Sequence, residues 1–461
     1  MSKSFNSYLT NLFEWFAESF SGSRKGIEDT VVSLIPQAVT LLAGIITSVL
    51  IARGLGPVGM GQYALISSIS GLAAIFSDLG IGNTAIRFAS QSVSHGDTVG
   101  QLAVLRWAFR LRMLLLITLT VVIFWAIPFL ADKIWNIGNL IPLMRLSLFI
   151  GIFGTISSIP IIYFQSLKRF KMNTAVSVGQ TLLSFSGIMV IAFLNKWTLQ
   201  LIIMASILAS GIASVVFLSL VPKSAVFNAH EFHVLFKSKF KHIFHLPTKD
   251  LNTEITDDIG INAFAIYMVL SAIVVQLTLR ADIWLMGLYL DKSQIGLYNV
   301  ATKFALPLGM VLGAINTALW PRASALTSRK KTTEMLKKTF RLSAILAFCV
   351  SIYALSAPKL TPYIFGIDYA DGVLLGQILC LRYCLAILIC PIGVIGYSMG
   401  LVRTYWLVNL IQMIVVVCIN IILLPRIGVM GAVIALIANE TVGFVIFGTI
   451  ISRKILSWRS Y

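Results

Sequence analysis

The chain is 461 residues long, 57% hydrophobic and only 12% charged, with a mean hydropathy of +0.89. A soluble protein carries roughly 25% charged residues, so this composition cannot cover a water-exposed surface and excludes a soluble enzyme. The formal net charge of +18 would point to nucleic acid in a soluble chain, but in a membrane chain it marks cytoplasmic loops rich in Lys and Arg, and no nucleic-acid partner is expected.

The opening segment, 1–30, carries Glu14, Glu18, Glu28 and Asp29 before any long apolar run, which predicts no cleavable signal peptide. Within it Phe5, Leu9, Leu12, Phe16 and Phe20 recur at helical spacing, so 1–30 is expected to be a cytoplasmic amphipathic segment. A spanning helix needs about 20 mostly apolar residues. Six windows of that kind follow, at 31–52, 62–80, 111–131, 140–164, 174–194 and 199–221, and six more at 264–287, 294–320, 341–360, 374–399, 404–424 and 428–451. The expected architecture is an all-α polytopic membrane protein of twelve transmembrane helices. The first six form an N-lobe at 31–221 and the last six a C-lobe at 259–452, followed by a cytoplasmic tail at 453–461. No connection reaches the roughly 50 residues of an independent domain, so no catalytic domain is expected and the protein is read as a non-enzyme without a cofactor.

The stretch between the lobes, 222–258, is basic, with Lys237, Lys239 and Lys241 set among Phe232, Leu235, Phe236, Phe240 and Phe244. That pattern suits a helix lying on an anionic leaflet. His230, His233, His242 and His245 also fall there, but neither pair has the i,i+4 spacing of a helical zinc motif and no cysteine accompanies them; no metal site is expected. The five cysteines sit in apolar runs of the second half, as small buried hydrophobes.

With the N-terminus inside, most of the 36 Lys and Arg fall on the cytoplasmic side. Only Arg53, Lys133, Lys196, Lys292, Lys359 and Arg426 fall in external segments. Both termini are therefore expected in the cytoplasm.

Two sequence echoes point to duplication. Leu55, Gly61 and Tyr63 recur as Leu290, Gly296 and Tyr298 at one constant offset, and Tyr163 with Arg169 recurs as Tyr397 with Arg403 at an offset shorter by a single position. A six-helix unit repeated in the same orientation implies two lobes related by an axis along the membrane normal, with a cavity between them.

Ionisable groups at membrane depth are costly and mark function by default. Five cations are placed in the outer half of the membrane: Arg53, Arg145, Arg280, Lys303 and Arg382. Facing the cavity they would form a positive lumen suited to phosphate, although Arg53 and Arg145 are equally placed to snorkel to the interface. Asp282 and Glu440 are the candidates to neutralise those cations or to carry a coupling H+ or Na+. Asp78, followed by Leu79-Gly80-Ile81-Gly82 and Arg87, reads as a structural cap or ion pair. Pro36, Pro160, Pro307 and Pro391 interrupt spans as bending points or static kinks.

Ile51-Ala-Arg-Gly-Leu-Gly-Pro-Val-Gly-Met-Gly-Gln-Tyr63 and Asp78-Leu-Gly-Ile-Gly82 with Arg87 resemble the opening of Wzx-type polysaccharide flippases of the multidrug/oligosaccharidyl-lipid/polysaccharide (MOP) exporter superfamily. The stretch from Asp282 through Gly296-Leu-Tyr298 to Trp320-Pro321, and Leu424-Pro-Arg-Ile-Gly428-Val-Met-Gly431, are similar to their second half. The resemblance implies two six-helix bundles. It also implies alternating-access transfer of undecaprenyl-pyrophosphate-linked glycan from the cytoplasmic to the periplasmic leaflet, with coupling to a proton or sodium gradient. As partners it implies the lipid bilayer and, in O-antigen assembly, a glycan polymerase and chain-length proteins. The rival readings are a multidrug exporter of the same superfamily, which calls for an acidic or aromatic lumen, and a membrane glycan polymerase, which calls for a large external loop. A major-facilitator transporter would carry Gly-Asp-Arg where Gly82-Asn-Thr-Ala-Ile-Arg87 stands.

Overall fold

The computed structural model describes residues 24–94, 96–226, 261–324, 329–398 and 402–457. Among these, every regular element is helical, as lipid requires of an open chain whose backbone N–H and C=O groups must all be satisfied internally. The N-lobe comprises α1 (Arg24–Ser70), α2 (Leu72–Asp78), α3 (Ile81–Ser94), α4 (Thr98–Pro128), α5 (Ile141–Ser166), α6 (Phe170–Leu194) and α7 (Leu199–Leu218), followed by the short α8 (Lys223–Val226). The C-lobe comprises α9 (Ile261–Tyr289), α10 (Lys292–Ser324), α11 (Arg329–Leu355), α12 (Ala357–Phe365), α13 (Val373–Ser398), α14 (Val402–Ile427) and α15 (Val429–Ser457). The amphipathic helix expected over the connector, its four histidines and residues 1–23 lie outside the described residues.

Among the described residues, eleven segments are long and apolar enough to cross a membrane. The first, Ile35–Asp78, has 44 residues, about 66 Å of helix at the usual rise and roughly twice the hydrocarbon thickness. It is broken at Gly56, whose φ of 65° and ψ of 179° belong to a region open essentially to glycine alone. Counting its two limbs separately restores the twelve expected spans. Successive spans alternate direction, so one end of the bundle, here called proximal, carries Arg24 and Ser457. The distal end carries the turn at Gly56.

Hydropathy located the apolar part of each helix but not its full length. Helix α4 begins at Thr98, not near 111, with the Asp97 carboxylate accepting the Gly100 N–H at 2.7 Å, and α11 begins at Arg329, not near 341. Both run past the apolar layer, since a helix needs no lipid to continue, and Asp97 caps the start of α4. Residues 81–94, expected as a connection, form α3, whose Ala85 and Ala89 pack on Val104, Leu105 and Ala108 of α4. At the distal end a π-helical turn (Phe129–Ile134) and two 3-10 turns (Gly138–Leu140 and Ile367–Gly372) were not foreseen.

Packing repeats between the lobes. In the N-lobe α1 packs on α6, α5 on α7, and α6 on α7; in the C-lobe α9 packs on α14, α13 on α15, and α14 on α15. Each C-lobe pair is the duplicate of the N-lobe pair. Between lobes the principal contact is α1 with α10, the two copies of the second span, which meet on the pseudo-dyad. Pro36, Pro160, Pro307 and Pro391 lie inside α1, α5, α10 and α13, and each helix continues through its proline.

Candidate functional site

Helix α9 contributes Arg280 and Asp282, α10 contributes Tyr298 and Lys303, α13 contributes Arg382, and α15 contributes Glu440. Arg382 donates to Glu440 Oε1 from Nη2 at 2.9 Å and from Nε at 3.1 Å, and the two side chains are only 17% and 18% exposed. Asp282 is buried. Its carboxylate accepts the Tyr298 hydroxyl and, at 2.8 Å, the Ile283 N–H, and it feels the charges of Arg382 and Arg280. Charge removed from water survives where it is paired and hydrogen-bonded, and both acids meet that condition.

Arg280 and Lys303 differ. They lie near each other, and neither makes a hydrogen bond or close ion pair among the described residues. The Arg280 guanidinium reaches across to the N-lobe, where Nη2 lies 3.8 Å from the point a β-carbon on Gly71 would occupy. Below that point, on the proximal side, is a cavity of about 350 Å³. Its walls are Ala74, Ile75, Asp78, Arg112 and Thr155 from the N-lobe and Ala272 and Gln276 from α9. Gln276 is one helical turn from Arg280, and Ala74 and Ile75 are one turn from Gly71. The cavity therefore leads toward Arg280.

The remaining sequence candidates fall elsewhere. Arg53 is exposed at the distal end and donates to the carbonyls of Ile364 (2.8 Å) and Tyr363 (2.5 Å). Arg145, near the distal end of α5, stacks 4.4 Å over the Phe124 ring. Asp78, at the end of α2, accepts the Gly82 N–H at 3.1 Å and lies 3.3 Å from Arg112 Nε. Arg87 lies on α3, with its side chain outside the described residues. Of five cations proposed for one lumen, Arg280, Lys303 and Arg382 come together, and Arg53 and Arg145 stand apart.

Two neighbours of the charged cluster and the cavity escaped the sequence. Tyr298 was legible as a repeat marker, but not as the donor that holds Asp282. Arg112 counts in sequence among cytoplasmic cations, yet its side chain is 7% exposed and lines the cavity. The length of α4 was the missing signal. Among the described residues no group of His, Cys, Asp and Glu could hold a metal ion.

A family model described as polysaccharide biosynthesis protein matches residues 27–327. No curated protein matches the chain by sequence. Solved structures do match it by fold. The lipid II flippase MurJ in an inward closed conformation is 13% identical with a TM-score of 0.68, over 92% of this chain and 87% of that one. An inward-facing multidrug resistance MATE family transporter of the MOP superfamily is 12% identical with a TM-score of 0.63, over 93% and 100%. A MOP superfamily transporter from Pyrococcus furiosus, whose binding pocket is described as of reverse polarity, is 14% identical with a TM-score of 0.54, over 94% and 97%. At these identities the likeness is one of fold.

Proposed function

We propose that this chain, which belongs to the polysaccharide biosynthesis protein family and is a multi-pass membrane transporter with the MOP fold, is a flippase. Its substrate would be a lipid-linked oligosaccharide carried on undecaprenyl pyrophosphate, moved from the cytoplasmic to the periplasmic leaflet. The observation that carries the reading is the pair Arg280 and Lys303. Two cations that make no hydrogen bond or close ion pair among the described residues stand beyond a cavity between the lobes, and an ionised group at that depth is expensive unless it is fully paired.

A diphosphate fits that arrangement. Arginine offers it a planar two-pronged donor and lysine a compact point charge. Arg382 is already engaged by Glu440, so its part is to hold the wall of the site while Arg280 and Lys303 take the headgroup. With the Lys/Arg-rich proximal end in the cytoplasm, the cavity receives substrate from the inner leaflet. Movement of an anion outward is then favoured by an inside-negative potential by about 2.3 kcal/mol per charge per 100 mV.

Asp282 and Glu440 are the ion-coupling candidates. Each is held by a group that would have to yield for H+ or Na+ to bind, Tyr298 for the first and Arg382 for the second. Such competition links ion binding to rearrangement of the cationic wall. A MATE-type exporter of cationic drugs would need an acidic surplus, whereas the cluster holds three cations against two acids.

The test is deletion of the gene in its host. Lipid-linked repeat units are expected to accumulate on the cytoplasmic leaflet while surface glycan disappears. Normal surface glycan together with altered sensitivity to cationic drugs would overturn the reading.

A further inference from the structure

The distal end of the interface between the lobes is built as a matched pair. A β-carbon on Gly61 would lie 1.8 Å from the Lys292 carbonyl oxygen, and one on Gly296 would lie 2.0 Å from the Pro57 carbonyl oxygen. Gly61 and Gly296 occupy equivalent positions of the duplicated unit, and so do Pro57 and Lys292. The contact is therefore reciprocal, each copy of the repeat touching the other at the same position, as at a two-fold interface. Only glycine permits that approach.

A second reciprocal contact surrounds it. Trp135 crosses from the N-lobe to α9, where its indole N–H donates to the Trp284 carbonyl at 3.1 Å. Tyr369, its counterpart at the offset that relates Tyr163 to Tyr397, crosses from the C-lobe to α1 and donates to the Ala52 carbonyl at 2.8 Å. Trp284 in turn donates from its indole to Ser68 Oγ at 3.0 Å. Both Trp135 and Tyr369 are almost wholly buried.

Each lobe also sends one cation across. Arg53, just before the Gly56 turn, binds the carbonyls of Tyr363 and Ile364, which lie in the last turn of α12. Lys292, just after the corresponding turn at Leu290, donates to the Trp135 carbonyl at 2.6 Å, the residue that ends the π-helical turn Phe129–Ile134. The last carbonyls of a helix have no partners within it and carry the negative end of its dipole. A cation is the donor they bind best. These two positions are not related by the repeat offset, so the shared arrangement is not inherited from the duplication.

We propose that Arg53 and Lys292 are crossed latches that shut the distal end, each lobe's first distal turn capping a short distal helix of the other, and that the reciprocal glycine contact is the seat on which they close. The inference concerns the conformational cycle and stands apart from the identity of the substrate. It also gives two of the external cations a role other than topology.

The test uses the full chain in lipid nanodiscs, with the exposed Cys349 and Cys418 replaced by alanine and spin labels at Val58→Cys and Ile367→Cys, which are exposed distal sites on opposite lobes. Pulsed electron resonance then reads the distance across the distal end, with no substrate required. The parent is expected to give a dominant short distance. Combining Arg53→Ala with Lys292→Ala is expected to raise the ratio of parted to closed molecules on the order of tenfold, and each single variant less. Arg53→Lys keeps a donor cation and is expected to hold the closed distance, which separates loss of the latch from damage to the fold. Gly61→Ala is expected to part the lobes with both cations intact. An unchanged distance distribution in the double alanine variant would overturn the latch, whatever the outcome for glycan export. Failure of export with a normal latch would count against the transport reading alone.

Discussion

The two lobes share a scaffold and differ in chemistry. Positions 45, 47 and 68 of the N-lobe correspond to Arg280, Asp282 and Lys303 of the C-lobe at the repeat offset, and they are Ile45, Thr47 and Ser68. Tyr63 and Tyr298 correspond as well, but only Tyr298 has a carboxylate to hold. The helix pairs named above recur in both lobes, while the cluster around Arg280, Asp282 and Lys303 does not; the N-lobe instead buries Arg106 and Arg112, both on α4. Duplication therefore supplies the interface between the lobes, and the C-lobe alone carries the proposed headgroup cations.

That contrast can be broken by experiment. The largest effect is expected where a C-lobe charge loses its partner. Arg382→Ala leaves Glu440 with no counter-ion, and loss of one member of a buried pair costs about 3–5 kcal/mol. Arg382→Met combined with Glu440→Leu removes both charges and is expected to recover most of that in a denaturation titration. Next comes a charge placed at a neutral N-lobe counterpart of the cluster. Thr47→Asp puts a carboxylate at the N-lobe counterpart of Asp282 without a cation opposite, and is expected to cost about 2.5–3.5 kcal/mol. If it is tolerated without loss, the lobes are electrostatically equivalent and the contrast fails. The smallest effect is a matched pair of single-atom deletions. Tyr298→Phe leaves the buried Asp282 short of a donor, at about 1–3 kcal/mol. Tyr63 makes no hydrogen bond among the described residues, and Tyr63→Phe is expected to stay within about 0.5 kcal/mol. Equal effects on thermal stability would remove Tyr298 from the site.

Much of this was legible in the sequence because membranes impose simple rules. A long apolar run reads as a span whatever surrounds it, and Gly61 and Gly296 betrayed the duplication because close backbone approach tolerates nothing larger. Asp282 and Arg382 stood out for their depth. What escaped was whatever depends on a partner that sequence does not name. The acceptors for Arg53 and Lys292 are backbone carbonyls, which any residue carries, so nothing in the sequence separated these two cations from substrate ligands or loop charges. Arg112 was hidden by a helix that runs beyond its apolar stretch, and the turns at Phe129–Ile134 and Ile367–Gly372 are too short to show a period.

The central claim is that Arg280 and Lys303 hold an anionic headgroup. The direct measurement is translocation of a fluorescent undecaprenyl-pyrophosphate glycan in proteoliposomes under an inside-negative potential. The wild type is compared with Arg280→Ala combined with Lys303→Ala at equal thermal stability. The account predicts a loss of at least about tenfold per cation, the worth of one charge-assisted hydrogen bond. Wild-type translocation by the double variant would contradict it.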